Sequence, residues 1–267
     1  MRSHTYAILL LLLSIFPLKL LAQNNTQSGV VDQINRGVKY LSEKEHTKSI
    51  EELIEAKEIA LRNEWYTQAF NATLNIGTNY CLLLDYGEAF RYYFIAYEIA
   101  IKHLGKRQEM SVVNNIGVLY IEERDLPKAK ESFIKAYEIA KDLDDNETIG
   151  TYGINLALVL NQMGELDQAE KYIEEALPLI KIRSNVLLLA KIAKAENLLL
   201  REQYSKAEKL ALGILPQINN LTLINEGATV NDKITLLLLI TQIYEKQKQF
   251  KKAQEYALMA RATQLNI

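Results

Sequence analysis

Beyond the first 22 residues the chain has two histidines, His46 and His103, and one cysteine, Cys81. Neither histidine has a cysteine or carboxylate partner at metal-ligand spacing, so both read as surface residues. Cys81 lacks a recognisable histidine to activate it and reads as a small, buried or half-buried thiol, not a nucleophile. The acidic run from Asp142 to Glu147 lacks the glycine and spacing of a calcium loop; it reads as a turn that closes a structural unit. Lys246, Lys248, Lys251 and Lys252 form a basic cluster that reads as a solvated turn. These residues imply no catalysis, no metal and no cofactor.

A different chemistry is spaced more regularly. Asn35, Asn75, Asn115 and Asn155 recur at steps of 40 residues. Asparagine is a mediocre helix former, so its return at one place asks for a reason. Two readings stand open. The amides could tie each helix to its neighbour. Alternatively they form a ladder along a groove and bond the backbone of an extended peptide, because one side-chain amide offers both a donor and an acceptor. In the second reading Leu74, Val118 and Leu158 add apolar pockets beside the ladder. The fifth and sixth repeats break it, with Ala193 and Leu239 in the corresponding places.

The elements that position this ladder share its period. Gly77 and Gly117 are 40 apart and Ala157 follows; Tyr80, Tyr120 and Leu160 keep the step, as do Ala89, Ala129, Ala169 and Ala96, Ala136, Ala176. Upstream, Gly37, Tyr40, Ser49 and Ala56 occupy the same places. Downstream the step is 38, to Ala195, Leu198 and Ala207, then 46, to Thr241, Tyr244 and Ala253, with the extra residues in Gln217–Asp232. Six units result, near 30–67, 70–107, 110–147, 150–185, 188–220 and 232–267. Each reads as two amphipathic helices; in the third, Met110–Ile121 and Leu126–Lys141 flank a break, with apolar residues recurring at three and four. A glycine inside a helix costs about 1 kcal/mol against alanine. Its return at Gly37, Gly77 and Gly117 therefore points to two helix axes that must approach closely.

The residues Ile76-Gly77-x-x-Tyr80, Ala89-x-x-x-Tyr93 and Ala96, then Ile116-Gly117-x-x-Tyr120, Ala129-x-x-x-Phe133 and Ala136, resemble the tetratricopeptide repeat (TPR) family. The usual length there is about 34 residues, so these units resemble its longer members: kinesin light chains, bacterial peptide-sensing regulators and the helical region of the maltose-regulon activator. The resemblance spans about residues 30–267, without the family's initial Trp and final Pro. It implies an all-α, right-handed α-solenoid of about six antiparallel helix pairs, with a concave face lined by the first helix of each pair. It also implies a protein or extended-peptide partner. A carboxylate clamp is not expected, because Asn71, Leu74 and Ser111 stand where its lysines would be.

Composition agrees. Apolar residues make up 49% and charged ones 24%, with 11 Gly and 4 Pro in 267 residues, which suits a folded helical chain. The net charge of −2 leaves no basic excess for nucleic acid. One cysteine excludes an intrachain disulfide, yet a repeat array can bury its core without staples in an oxidising compartment.

Residues 1–22 have the order of a secretory signal: Arg2, an apolar run Ala7–Phe16, Pro17 and a small Ala22. The Ala-Gln end and the Asn-rich sequence after it resemble signal peptides of Bacteroidetes bacteria. The expected protein is thus secreted or periplasmic, with residues 23–267 as the repeat domain. Arg2 and Lys19 are the only charges ahead of the cut, so that form carries −4. The membrane becomes a partner only if this segment stays uncleaved. Self-association through the C-terminal helix is a further expectation, because Tyr256, Ala257, Ala260 and Leu265 have no following unit to cover them. The rival functional reading is the truncated or split sensory half of a membrane-bound histidine kinase or helix-turn-helix regulator, since similar arrays serve there.

Overall fold

The structure, a computed structural model, describes residues 26–180, 185–218 and 230–265. The segment read as an export signal and most of the insertion between Gln217 and Asp232 lie outside the described residues. Within them the chain is helical throughout: α1 (Gln27–Ser42), α2 (His46–Arg62), α3 (Tyr66–Leu82), α4 (Tyr86–Ile99), α5 (Lys106–Glu122), α6 (Leu126–Asp142), α7 (Asn146–Gln162), α8 (Leu166–Ala176), α9 (Asn185–Leu200), α10 (Tyr204–Ile218), α11 (Val230–Lys246) and α12 (Phe250–Leu265).

The 40-residue period has a local cause. Most helices run 16 or 17 residues and are joined by three-residue links, which gives a step of twenty per helix. The middle link residue sits in the left-handed region at Lys44, Glu64, Leu84, Arg124, Asp144, Gly164, Glu202 and Lys248. The third sends its N–H back five residues, as Glu45 does to Tyr40 O (2.9 Å), Asp85 to Tyr80 O (2.9 Å) and Asp125 to Tyr120 O (2.8 Å). This closure satisfies the last helical carbonyls. Where the third residue is Asp85, Asp125 or Asp145, its carboxylate also accepts the N–H three residues on, capping the next helix. One link differs. After α4 a single π-turn, Ala100–Leu104, consumes most of the link and ends at Gly105, φ 128°, so the step of twenty survives.

The chain divides into two compact units, residues 1–119 and 120–267. In the first, α2 packs between α1 and α3, α4 packs on α3, and the first helices α1 and α3 touch. In the second, α7, α9 and α11 touch in succession, α8 packs on α7 and α9, α10 on α9 and α11, and α12 on α11. Small residues set these approaches. Ala56, Ala89, Ala96, Ala129, Ala136 and Ala169 are fully buried. A Cβ on Gly77 would lie 2.6 Å from the ring of Tyr93, and one on Gly37 would lie 2.7 Å from Leu53 Cγ. The third unit's first helix starts at Lys106, in step with Tyr66 and Asn146 and four residues before the Met110 start read from the sequence. On α12 only Ala253 and Ala260 are buried, while Phe250, Leu258 and Leu265 are exposed. No described helix is long and apolar enough to cross a membrane.

Candidate functional site

Each first helix is held on several sides, so the strip it leaves open is narrow and easy to trace. On α3 that strip is Thr67, Asn71, Leu74, Asn75, Thr78 and Leu82; on α5 it is Arg107, Ser111, Asn114, Asn115, Val118 and Glu122; on α7 it is Glu147, Thr151, Asn155, Leu158 and Gln162. The spacing of three, four and seven is one helical face, and the strip keeps the 40-residue register. The asparagine position lies in the middle of it each time.

The state of the four amides differs. Asn35 is exposed and Asn75, Asn115 and Asn155 are half-buried. Asn75 Nδ2 donates to Asn71 O of its own helix at 2.8 Å. The side chain of neither Asn35 nor Asn115 bonds a described residue. None of these three side chains bonds a neighbouring helix among the described residues. Leu74 and Leu158 are half-buried against the cores of their units, and Val118 is 38% exposed. Ala193 and Leu239 are buried, so the open strip loses this position in α9 and α11.

The helix-tying role belongs to asparagines that periodicity did not single out. Asn79, one turn beyond Asn75, is fully buried. Its Nδ2 donates to Ser49 Oγ (2.9 Å) and to Asn75 O (3.0 Å), while Ser49 Oγ donates to Gly37 O (2.7 Å). His46 Nδ1 lies 3.0 Å from Asn79 Oδ1. His46 is therefore not the plain surface residue that the sequence suggests; it braces α2 on α3. His103 is exposed and stacks on Tyr66, with ring centroids 3.6 Å apart. In the second unit Asn161 and Asn197 form the corresponding brace. Asn161 Nδ2 donates to Ala193 O (3.0 Å) and Glu196 Oε2 (3.2 Å), and Asn197 Nδ2 to Asn161 Oδ1 (2.8 Å) and Leu166 O (2.9 Å). Burial pushes the Glu196 carboxyl up, against the pull of the Asn161 bond. The signal for all three residues is a polar side chain within a helix's apolar arc.

Cys81 is half-buried at the edge of the first unit's core. The acidic run turns α6 into α7, with Asp145 capping α7 through the Thr148 N–H at 3.2 Å. Among the described residues no three of His, Cys, Asp or Glu are placed to hold a metal ion.

Comparison with known proteins agrees with this architecture. Residues 108–182 match the model of the tetratricopeptide repeat family. Among curated proteins no match is found. Solved structures are similar in fold. Aspartyl phosphate phosphatase F from Bacillus subtilis is 16% identical, with a TM-score of 0.74 over 89% of this chain and 60% of its own. The Rap conjugation gene regulator of plasmid pLS20, solved with the Phr* peptide, is 19% identical, with a TM-score of 0.67 over 89% of this chain and 62% of its own. A kinesin light chain from Podospora anserina with TPR-like repeats is 14% identical, with a TM-score of 0.55 over 74% of this chain and 95% of its own. The chain thus spans about three-fifths of the two bacterial proteins. It is a TPR-like helical-repeat protein.

Proposed function

We propose that this chain is an extracytoplasmic, non-catalytic scaffold that binds an extended polypeptide along the open strips of its first helices. The observation that carries this reading is the register of those strips. Asn75 and Asn115 stand at the same helical place, half-buried on the open strip, and on α3 the bracing of helices falls to Asn79. A peptide backbone presents N–H and C=O groups at regular intervals, and an amide serves either. The half-open Leu74 and Val118 on the same strips, and Leu158 on the strip of α7, favour apolar side chains without dictating a sequence. The peptide held by the plasmid regulator of similar fold supports this use of the architecture.

Changing Asn75 and Asn115 together to Ala should weaken binding of a labelled peptide pool of mixed leucine, alanine and serine content by about tenfold or more, since each lost bond costs on the order of 1 kcal/mol. Fluorescence anisotropy reads the binding and circular dichroism the helicity, which should not change. Earlier melting with normal binding in the folded state would make the asparagines structural.

Export rests on residues 1–22. Protein recovered from the cell envelope should begin near Gln23 on N-terminal sequencing; a chain that keeps Met1 in the membrane fraction overturns that assignment.

A further inference from the structure

The second unit holds a cavity that the open strips do not use. It measures about 350 Å³ and is lined by Lys191 of α9 and by Lys206, Lys209, Leu210, Gly213, Ile214 and Gln217 of α10. Its floor is apolar, with Ile214 fully buried and Leu210 half-buried. Its rim carries three ammonium groups. Lys191 Nζ donates to Gln217 Oε1 (3.0 Å) and Lys206 Nζ to Gln203 Oε1 (2.9 Å); none of the three lysines forms an ion pair with a described residue. The neighbours show that this is not for want of acids. Lys194, one helical position around from Lys191, pairs with Glu174 at 2.5 Å. Glu208, between Lys206 and Lys209 in sequence, turns to α11 and accepts from Tyr244 Oη (3.0 Å) and Gln247 Nε2 (2.8 Å).

Gly213 supplies a second, independent observation. Glycine in a helix interior costs about 1 kcal/mol against alanine. Gly37, Gly77 and Gly150 have a packing reason, since a Cβ on any of them would come within 3.0 Å of a neighbouring side chain. A Cβ on Gly213 meets nothing within 4 Å. The missing side chain relieves no contact within the fold, and the residue is exposed on the lining of the cavity.

We infer that this cavity binds an acidic segment of a partner polypeptide, a leucine-sized side chain entering over Gly213 and Ile214 while the adjacent carboxylates meet Lys206, Lys209 and Lys191. The volume is at the lower end of ligand pockets and fits one such side chain with its neighbour. Because the cavity uses none of the asparagine positions, it stands apart from the binding proposed above.

The probe is a fluorescent peptide of alternating glutamate and leucine, titrated with the whole protein. Binding should fall as salt rises. Lys206→Gln with Lys209→Gln should weaken it about tenfold, and Gly213→Leu should abolish it by filling the cavity without lowering the melting temperature. The Asn75→Ala, Asn115→Ala variant should bind this peptide like the wild type, which separates the two sites. Equal binding by the double lysine variant, or equal binding of the same peptide with glutamine for glutamate, overturns the assignment. If Gly213→Leu unfolds the unit, the lysine variant alone decides. Displacement of the peptide by millimolar free glutamate as readily as by unlabelled peptide would also overturn it, since the site would then serve a small anion.

Discussion

Gly77→Leu is expected to lower the stability of the first unit by roughly 1–3 kcal/mol, the usual cost of overpacking, whereas Gly153→Ala should raise that of the second by up to about 1 kcal/mol. Both glycines lie inside first helices. What differs is the neighbour. The Tyr93 ring sits where the Cβ of residue 77 would be, at 2.6 Å. It is 3% exposed, its hydroxyl lies 3.3 Å from Thr78 Oγ1, and burial pushes that hydroxyl up to about 12. The ring has packed walls and a hydrogen bond to lose, so it cannot swing aside cheaply. At Gly153 the nearest atoms are Tyr137 Cε2 at 3.4 Å and Ala176 Cβ at 3.5 Å, an ordinary contact that accepts a methyl group. There the gain in helix propensity should dominate. Urea unfolding of the two variants reads both signs. Equal midpoints for Gly77→Leu and the wild type would mean that the α3–α4 approach does not need a glycine. The consequence for function is direct, since that approach fixes how α3 presents Asn71, Leu74 and Asn75.

The repeat was legible because its cause is short-range. A 17-residue helix and a three-residue closure impose a step that any side chain tied to helix packing must follow, and Gly77, Ala89 and Ala96 follow it. The closures themselves were not legible. Their left-handed residue is Lys44, Glu64, Leu84, Arg124, Asp144, Glu202 or Lys248 in seven of the eight described links, and only Gly164 advertises the conformation. Side chains in that region cost roughly 1–2 kcal/mol each, which helix packing on both sides must offset. The helical phase of the asparagines was blurred for another reason. A first helix touches neighbours on several sides, so its buried arc is wide: α7 buries Tyr152, Gly153, Ile154, Leu156, Ala157, Val159, Leu160 and Asn161. Within such an arc Asn75 and Asn79 look alike in sequence, although one is half-buried on the open strip and the other is sealed. The lysine cavity was out of reach because Lys191 and Lys206 meet only through the pairing of α9 with α10.

Asn197→Ala should cost the second unit about 2–4 kcal/mol, more than any change confined to the open strips, because its partners stay behind without it. Asn161 Oδ1 loses a donor in a buried setting and Leu166 O one in a half-buried setting. Arg201, whose Nε donates to Asn197 Oδ1 at 3.0 Å while its other end pairs with Asp167 and Glu170, loses the contact that points it across α8. One amide thus joins α7, α8 and α9. Glu196 adds a pH signature to the same cluster. Its carboxyl is pushed up by burial, so the folded state takes up its proton more readily than the unfolded chain does. The ionised form therefore opposes folding, and that penalty disappears as pH falls through the raised value. Glu196→Gln keeps an acceptor for Asn161 and removes the charge. It should raise stability at neutral pH, with a gain that shrinks on acidification, while the loss from Asn197→Ala persists across the same range. Urea titrations of both variants at several pH values distinguish the two. A Glu196→Gln gain that does not change with pH would place the carboxylate in water, and an Asn197→Ala loss below about 1 kcal/mol would show that water replaces the amide and that α7, α8 and α9 are held by apolar packing alone.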